Sequence, residues 1–161
     1  GKSKFEGEKN CILHTDDYYI FRVQWLFGLT GNHFVSTMKR LFKEKNELKV
    51  VDDQLGSPTF TYTLSSYILQ FMQEKPKSGI YHCTDKGKTS WYEFCLKIAD
   101  YEGYKGVIIP VSSEQFRRPA FRPLNGVLNC NKFDESVNIN RTHWKKSLAL
   151  YYNFKEKEFI Q

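Results

Sequence analysis

The sequence has no apolar run of membrane-spanning length. Stretches such as Val107-Ile108-Ile109-Pro110-Val111 fall far short of the roughly 20 residues that cross a bilayer, so no membrane partner is expected. The opening segment, Gly1-Lys2-Ser3-Lys4-Phe5-Glu6-Gly7-Glu8, is charged where a signal peptide would be apolar and reads as the middle of a helix entered without a cap. The four cysteines, at 11, 83, 95 and 130, never stand within four residues of one another, which excludes local zinc-ribbon and redox CxxC arrangements. Buried free thiols in a reducing cytoplasm are expected instead, and no metal. No GxGxxG, Walker loop, GxSxG or HExxH occurs, and the histidines at 14, 33, 82 and 143 are scattered. The residues alone therefore give no complete active site.

What is present describes a folded protein. At 161 residues the chain is about one domain long and buries roughly 70% of its unfolded surface. Hydrophobic residues at 40% and charged residues at 26% exclude disordered, collagen-like and disulfide-scaffold classes. Lys plus Arg exceed Asp plus Glu by 24 to 18, a net charge of +6. That excess suits nucleic acid, a phosphate-bearing small molecule, or nothing beyond a solvated surface. Basic residues are interleaved with acids and no run of five or six like charges occurs, so no nucleic-acid partner is expected.

Along the chain, elements alternate. Residues 1 to about 12 read as helix, and 18–23 as an aromatic and β-branched strand. Residues 25–32 read as a loop, with Asn32 as N-cap of a helix whose apolar stripe is Phe34, Val35, Met38, Leu41 and Phe42. A strand at 48–51, a turn-rich loop at 52–59, a helix at 61–74 and a strand at 80–83 come next. Thr89 or Ser90 then caps a helix at 91–102, and a strand spans 107–111. Two prolines keep 116–123 from being continuous helix. A helical turn is expected at 131–135, and a last helix over 142–152 turns Trp144, Leu148 and Tyr151 inward. Alternating strands and helices mean α/β.

Three loops could carry chemistry. The first strand ends at Arg22, Gln24 and Trp25, on the side where α/β sheets bind ligands; Trp25 serves a ligand or the core. Asp52 and Asp53 could bind metal or sugar hydroxyls, or cap turns. Arg117, Arg118 and Arg122 could clamp a diphosphate, since guanidinium matches phosphate oxygens bidentately, or simply face solvent. His82, on a strand, reads as a hydrogen-bonded core residue.

The opening segment, Gly1 to Glu8, resembles the stretch after the tyrosine of the YxxxK motif in extended short-chain dehydrogenases, with Lys4 as the motif lysine and the tyrosine one residue before Gly1. Further blocks narrow the resemblance. They are Arg22-Val23-Gln24-Trp25-Leu26-Phe27-Gly28, Gly31-Asn32-His33-Phe34-Val35 with Thr37-Met38, the long Val50-to-Thr59 segment, Gly79-Ile80-Tyr81-His82, Ser90-Trp91-Tyr92-Glu93-Phe94 and Arg122-Pro123-Leu124-Asn125. In this order they are similar to the dTDP-4-dehydrorhamnose reductase family over almost the whole chain.

The resemblance implies the C-terminal part of a Rossmann-like extended short-chain dehydrogenase, with residues 1–85 completing the nucleotide-binding sheet and 86–161 forming the smaller substrate-binding portion. It implies NADPH, or NADH, as hydride donor and a dTDP-sugar as substrate, the 4-keto group being reduced to give dTDP-L-rhamnose, and a homodimer as candidate assembly. Lys4 would serve both catalysis and cofactor binding. It lies four residues from the tyrosine on one helix face, where its ammonium lowers the phenol pKa. Trp25, Asn32, Gln54 and Arg122 would contact substrate. Gly126 stands where the family often has serine. A whole enzyme needs a glycine-rich loop, so these 161 residues alone are expected to be inactive. A non-catalytic regulatory or sugar-nucleotide-binding protein on the same scaffold is the alternative.

Overall fold

The aromatic and β-branched run forms strand β1 (Tyr19–Arg22), which lies parallel to β6 (Gly79–His82), Tyr19 opposite Gly79 and Arg22 opposite His82. The structure, a computed structural model, describes residues 1–116, 120 and 122–158. A second parallel pair joins β3 (Glu47–Val51) to β8 (Val107–Val111) in register from Glu47 opposite Val107 to Val51 opposite Val111. Parallel pairs require long crossovers, and helices supply them: α2 (Phe34–Glu44), α3 (Thr61–Glu74) and α4 (Trp91–Glu102). The remaining helices are α1 (Lys2–His14), α5 (Asn131–Ser136) and α6 (Trp144–Glu158). The α/β expectation holds.

Two expected loops contain short strands. Within 25–28, β2 (Leu26–Phe27) runs parallel to β5 (Thr59–Phe60); within 52–59, β4 (Leu55–Gly56) runs antiparallel to β7 (Thr89–Ser90). Two-residue strands have too few positions to show a period. The cap of α2 is also corrected, from Asn32 to His33. The His33 ring accepts from the Ser36 N–H at 3.2 Å and the Ser36 hydroxyl accepts from the His33 N–H at 3.0 Å. That reciprocal pair needs a polar side chain three residues on, and Ser36 is three from His33. At α4 the capping box is the usual one, Ser90 with Glu93, and Gly103 closes the helix in the left-handed region at φ 61°.

Two apolar clusters hold these elements. One gathers Phe27, Val35, Met38, Val50, Phe60, Phe94, Ile98 and the inner face of α6, Trp144, Leu148 and Tyr151. The other surrounds Phe71, which meets Tyr19, Phe21 and Tyr81 edge-on and stacks on Phe133 at 5.2 Å. In α1, by contrast, no residue is buried, and Phe5, Ile12 and Leu13 face outward. An ion pair from Arg22 to Glu8, 2.6 Å, ties that helix to β1.

All four cysteines are free; Cys83, Cys95 and Cys130 are buried, but Cys11 is only half-buried because α1 covers so little. Burial pushes the Cys83 and Cys95 thiols up to about 12, which makes them poor nucleophiles. Among the described residues no helix is long and apolar enough to cross a membrane.

Candidate functional site

Strand alternation turns Leu48 and Val50 into the core and leaves Lys49 on the other side. Beside the C-terminal end of β3 opens a cavity of about 460 Å³. Its apolar wall begins with Phe34, Met38 and Leu41 of α2, spaced to share one helix face, and continues through Trp91 at the start of α4 and Phe116. Its polar side chains are Thr37, Lys49, Gln54 and Arg122. A larger cavity, about 560 Å³, lies at the opposite ends of the same strands beside Asn46 and Val107. We take the smaller one as the candidate site, because ligands of α/β sheets bind at the carboxyl ends of strands.

The loop after β3 is fixed by its own carboxylates. Asp52 accepts from the Ser90 hydroxyl at 2.5 Å. Asp53 accepts from the Ser113 hydroxyl at 2.5 Å and N–H at 2.8 Å, and these bonds hold its carboxyl below the usual range. Gln54 Nε2 donates to Ser113 Oγ at 2.8 Å. The carboxylates thus tie distant loops together, and among the described residues no group of three or more His, Cys, Asp and Glu could hold a metal ion.

Trp25 sits behind the cavity wall. Its ring stacks on Trp91, centroids 3.5 Å apart and 14° from parallel. On the other side is Gly56: a Cβ there would stand 2.7 Å from Cζ2 and 2.8 Å from Cδ2 of Trp25. The indole is therefore held between Trp91 and Gly56, and the tryptophan that lines the cavity is its neighbour Trp91, which also meets Phe34 with centroids 4.5 Å apart. Trp25 also adopts φ 48°, a strained value for a bulky residue, with its carbonyl held by the Thr59 N–H at 3.1 Å.

The expected site residues thus fall in different places. Gln54 and Arg122 share the cavity, and Trp25 reaches it through Trp91. Asn32 is exposed and lines a separate hollow of about 280 Å³ with Leu26 and Thr61. Lys4 is exposed on α1. Arg117 and Arg118 lie outside the described residues. His82 is half-buried, its Nδ1 3.0 Å from the Asn129 carbonyl oxygen.

Residue-by-residue reading missed Trp91, Lys49 and Asp85. Asp85, buried, accepts from the Phe60 N–H (3.1 Å), the Thr63 hydroxyl (2.9 Å) and the Tyr67 hydroxyl (2.8 Å). Burial pushes its carboxyl above the ordinary range, and the Tyr67 phenol up to about 12. Tyr67 in turn accepts from the Thr142 N–H at 2.7 Å, so this carboxylate locks the approach to α6. No sequence pattern marks such a lone Asp.

A nicotinamide dinucleotide needs a glycine turn for its pyrophosphate at a helix N-terminus. The loop ahead of α2 does not supply one: a Cβ at Gly28 would stand 2.8 Å from Thr61 Oγ1, so that backbone is already closed against a side chain. The described residues do not fit the dinucleotide as a whole.

Residues 1–156 match the family described as RmlD substrate binding domain. The chain is 38% identical over 151 residues to the spore coat polysaccharide biosynthesis protein SpsK of Bacillus subtilis, covering 94% of this chain and 52% of that protein. It is 35% identical over 159 residues to dTDP-4-dehydrorhamnose reductase of Aggregatibacter actinomycetemcomitans, covering 92% and 54%. Among solved structures it is similar to a dTDP-4-dehydrorhamnose reductase of Clostridium acetobutylicum, with TM-score 0.90, 41% identity and coverage of 97% and 55%. The reductase of Bacillus anthracis in complex with NADP gives TM-score 0.89, 36% identity and coverage of 94% and 53%. The chain spans about half the length of these relatives.

Proposed function

Since the chain belongs to the RmlD substrate-binding domain family, we propose that its cavity beside β3 receives a dTDP-sugar. We further propose that the whole protein is a dTDP-4-dehydrorhamnose reductase that makes dTDP-L-rhamnose with NADPH or NADH in the cytoplasm, these residues being its C-terminal portion. One observation carries the reading: aromatic and apolar walls from Phe34, Trp91 and Phe116, edged by the cations Lys49 and Arg122, lie at the carboxyl end of a parallel strand pair. An aromatic wall suits a nucleobase or sugar face, and a guanidinium suits phosphate.

In this reading Trp91 offers the stacking face and Trp25 holds it in place. Gln54, anchored on Ser113, presents its remaining amide atoms to the ligand. Lys4, on the exposed face of α1, is the one contact this chain would make with the cofactor and the residue that tunes the tyrosine phenol. The pyrophosphate cradle and the hydride step belong to the whole enzyme. The division of roles at residue 85 concerns function and not packing, since both apolar clusters draw on residues from either side of it. A homodimer is also proposed.

The test is loss of reduced-nicotinamide absorbance with dTDP-4-dehydrorhamnose. The 161-residue chain by itself is expected to show none. The whole protein is expected to turn over, and Lys4→Met to lower its rate by roughly 10²–10⁴-fold. A whole protein that binds dTDP-sugar without turnover would establish the alternative, a non-catalytic binder on the same scaffold.

A further inference from the structure

We infer that Lys49 is the second phosphate-binding cation of the cavity, an ammonium that with Arg122 holds the two phosphates of a nucleoside diphosphate. The inference rests on the sugar-nucleotide reading and names a residue within it.

Lysine is depleted in strands, yet Lys49 stands in the middle of β3, between two core residues. Its neighbour on β8 is Ile109, which offers it no counter-charge. Some cations of this chain are matched, as Lys39 is with Glu102 at 2.9 Å, Lys97 with Asp100 at 3.0 Å, and Arg40 with Glu44 and Arg141 with Asp134 both at 2.7 Å; what sets Lys49 apart from the other lysines is that it lines the cavity. Lys49 and Arg122 make no hydrogen bond or ion pair among the described residues, although both line one cavity. Glu47, two residues before it on the same strand face, forms no ion pair with it among the described residues, and the acids that follow are engaged elsewhere, Asp52 by Ser90 and Asp53 by Ser113. Among the described residues, therefore, two cations without an ion-pair partner edge an apolar hollow. In a sugar nucleotide the diphosphate is a diester with one negative charge on each phosphate, so it matches both cations, and free dTDP offers the same two phosphates with a further charge on the terminal one. Arg122 supplies a planar fork, Lys49 a compact ammonium on a flexible stem that can follow the second phosphate. The base is left to the aromatic wall.

The experiment is calorimetric titration of dTDP and of thymidine into the chain, into Lys49→Gln and into Lys49→Arg, at low salt, with melting curves to establish that the variants fold. Lys49→Gln is expected to raise the Kd for dTDP by roughly 10-fold and to leave thymidine unchanged, and Lys49→Arg to restore most of the loss. If Lys49→Gln binds dTDP like the unaltered chain, the inference is overturned and the nucleotide reading stands. Equal weakening of dTDP and thymidine would make Lys49 a packing residue and also overturn it. If the unaltered chain binds neither, the reading itself fails and the inference with it.

Discussion

Replacing Gly56 by alanine is a sharp probe of the wall behind the cavity. The added methyl would stand 2.7 Å and 2.8 Å from Cζ2 and Cδ2 of Trp25, well inside van der Waals contact. The indole cannot retreat, because Trp91 is stacked 3.5 Å away on its other face. Overpacking of this kind costs roughly 1–3 kcal/mol. Gly56 is not in the left-handed region, so alanine is conformationally permitted and recovers about 0.4–1 kcal/mol from the unfolded state. The net loss is about 1–2 kcal/mol, or a Tm lower by about 2–8 °C for a chain of this size. The assay is thermal unfolding of Gly56→Ala, Trp25→Ala and the double variant. The clash needs the indole, so Gly56→Ala in the Trp25→Ala background should cost little, with a coupling energy of about 1 kcal/mol or more. Equal cost in both backgrounds would refute the sandwich, and with it the assignment of the stacking face to Trp91.

The same contacts predict further outcomes. Trp91→Ala should weaken dTDP binding by roughly 10-fold, since aromatic stacking on a base is worth about 1–3 kcal/mol, and calorimetry reads it directly. Because burial raises Asp85 in the folded chain, the folded state there holds its proton to higher pH than the unfolded state. Stability contributed by that group is present below the ordinary carboxyl value, about 3.9, and falls as pH rises through the raised one. Urea unfolding against pH should show this slope, and Asp85→Asn should flatten it at a cost of about 1–3 kcal/mol for mismatched donors. Asp53 has the opposite sign. Its depressed value contributes stability above the ordinary carboxyl range that is lost as pH falls through the folded value, and Ser113→Ala should reduce that acid-side loss. Ser90→Ala removes the α4 cap and the donor to Asp52, and should lower stability by roughly 1–2 kcal/mol, measured by chemical denaturation.

Periodicity made most of the fold legible. The stripe of α2 and the strand at 107–111 appear where their apolar spacing places them, and Ser90 three residues before Glu93 marks the start of α4. What stayed hidden depends on partners distant in sequence. β2 and β4 exist because Thr59–Phe60 and Thr89–Ser90 lie beside them, and two residues carry no period. His33 outcompetes Asn32 as cap because Ser36 completes a reciprocal pair. At the site, sequence blocks pointed to Gln54 and Arg122, which share a cavity. They pointed equally to Asn32, which lines another hollow, and to Trp25, which is held between Trp91 and Gly56. Trp91 and Lys49 went unassigned because nothing local distinguishes a helix-start tryptophan or a strand lysine at a cavity edge from ordinary ones. Asp85 needed the fold, since its donors come from residues 60, 63 and 67.

The central claim is that a sugar nucleotide occupies the cavity between α2 and the end of β3. Hydrogen exchange of the chain with and without saturating dTDP tests it most directly. Protection is predicted in segments 34–41, 49–54 and 91–94, with little change at 26–32 around Asn32 or at 102–107 around the larger cavity. Protection confined to either of those two regions, with the α2 and β3 segments unmoved, would contradict the account.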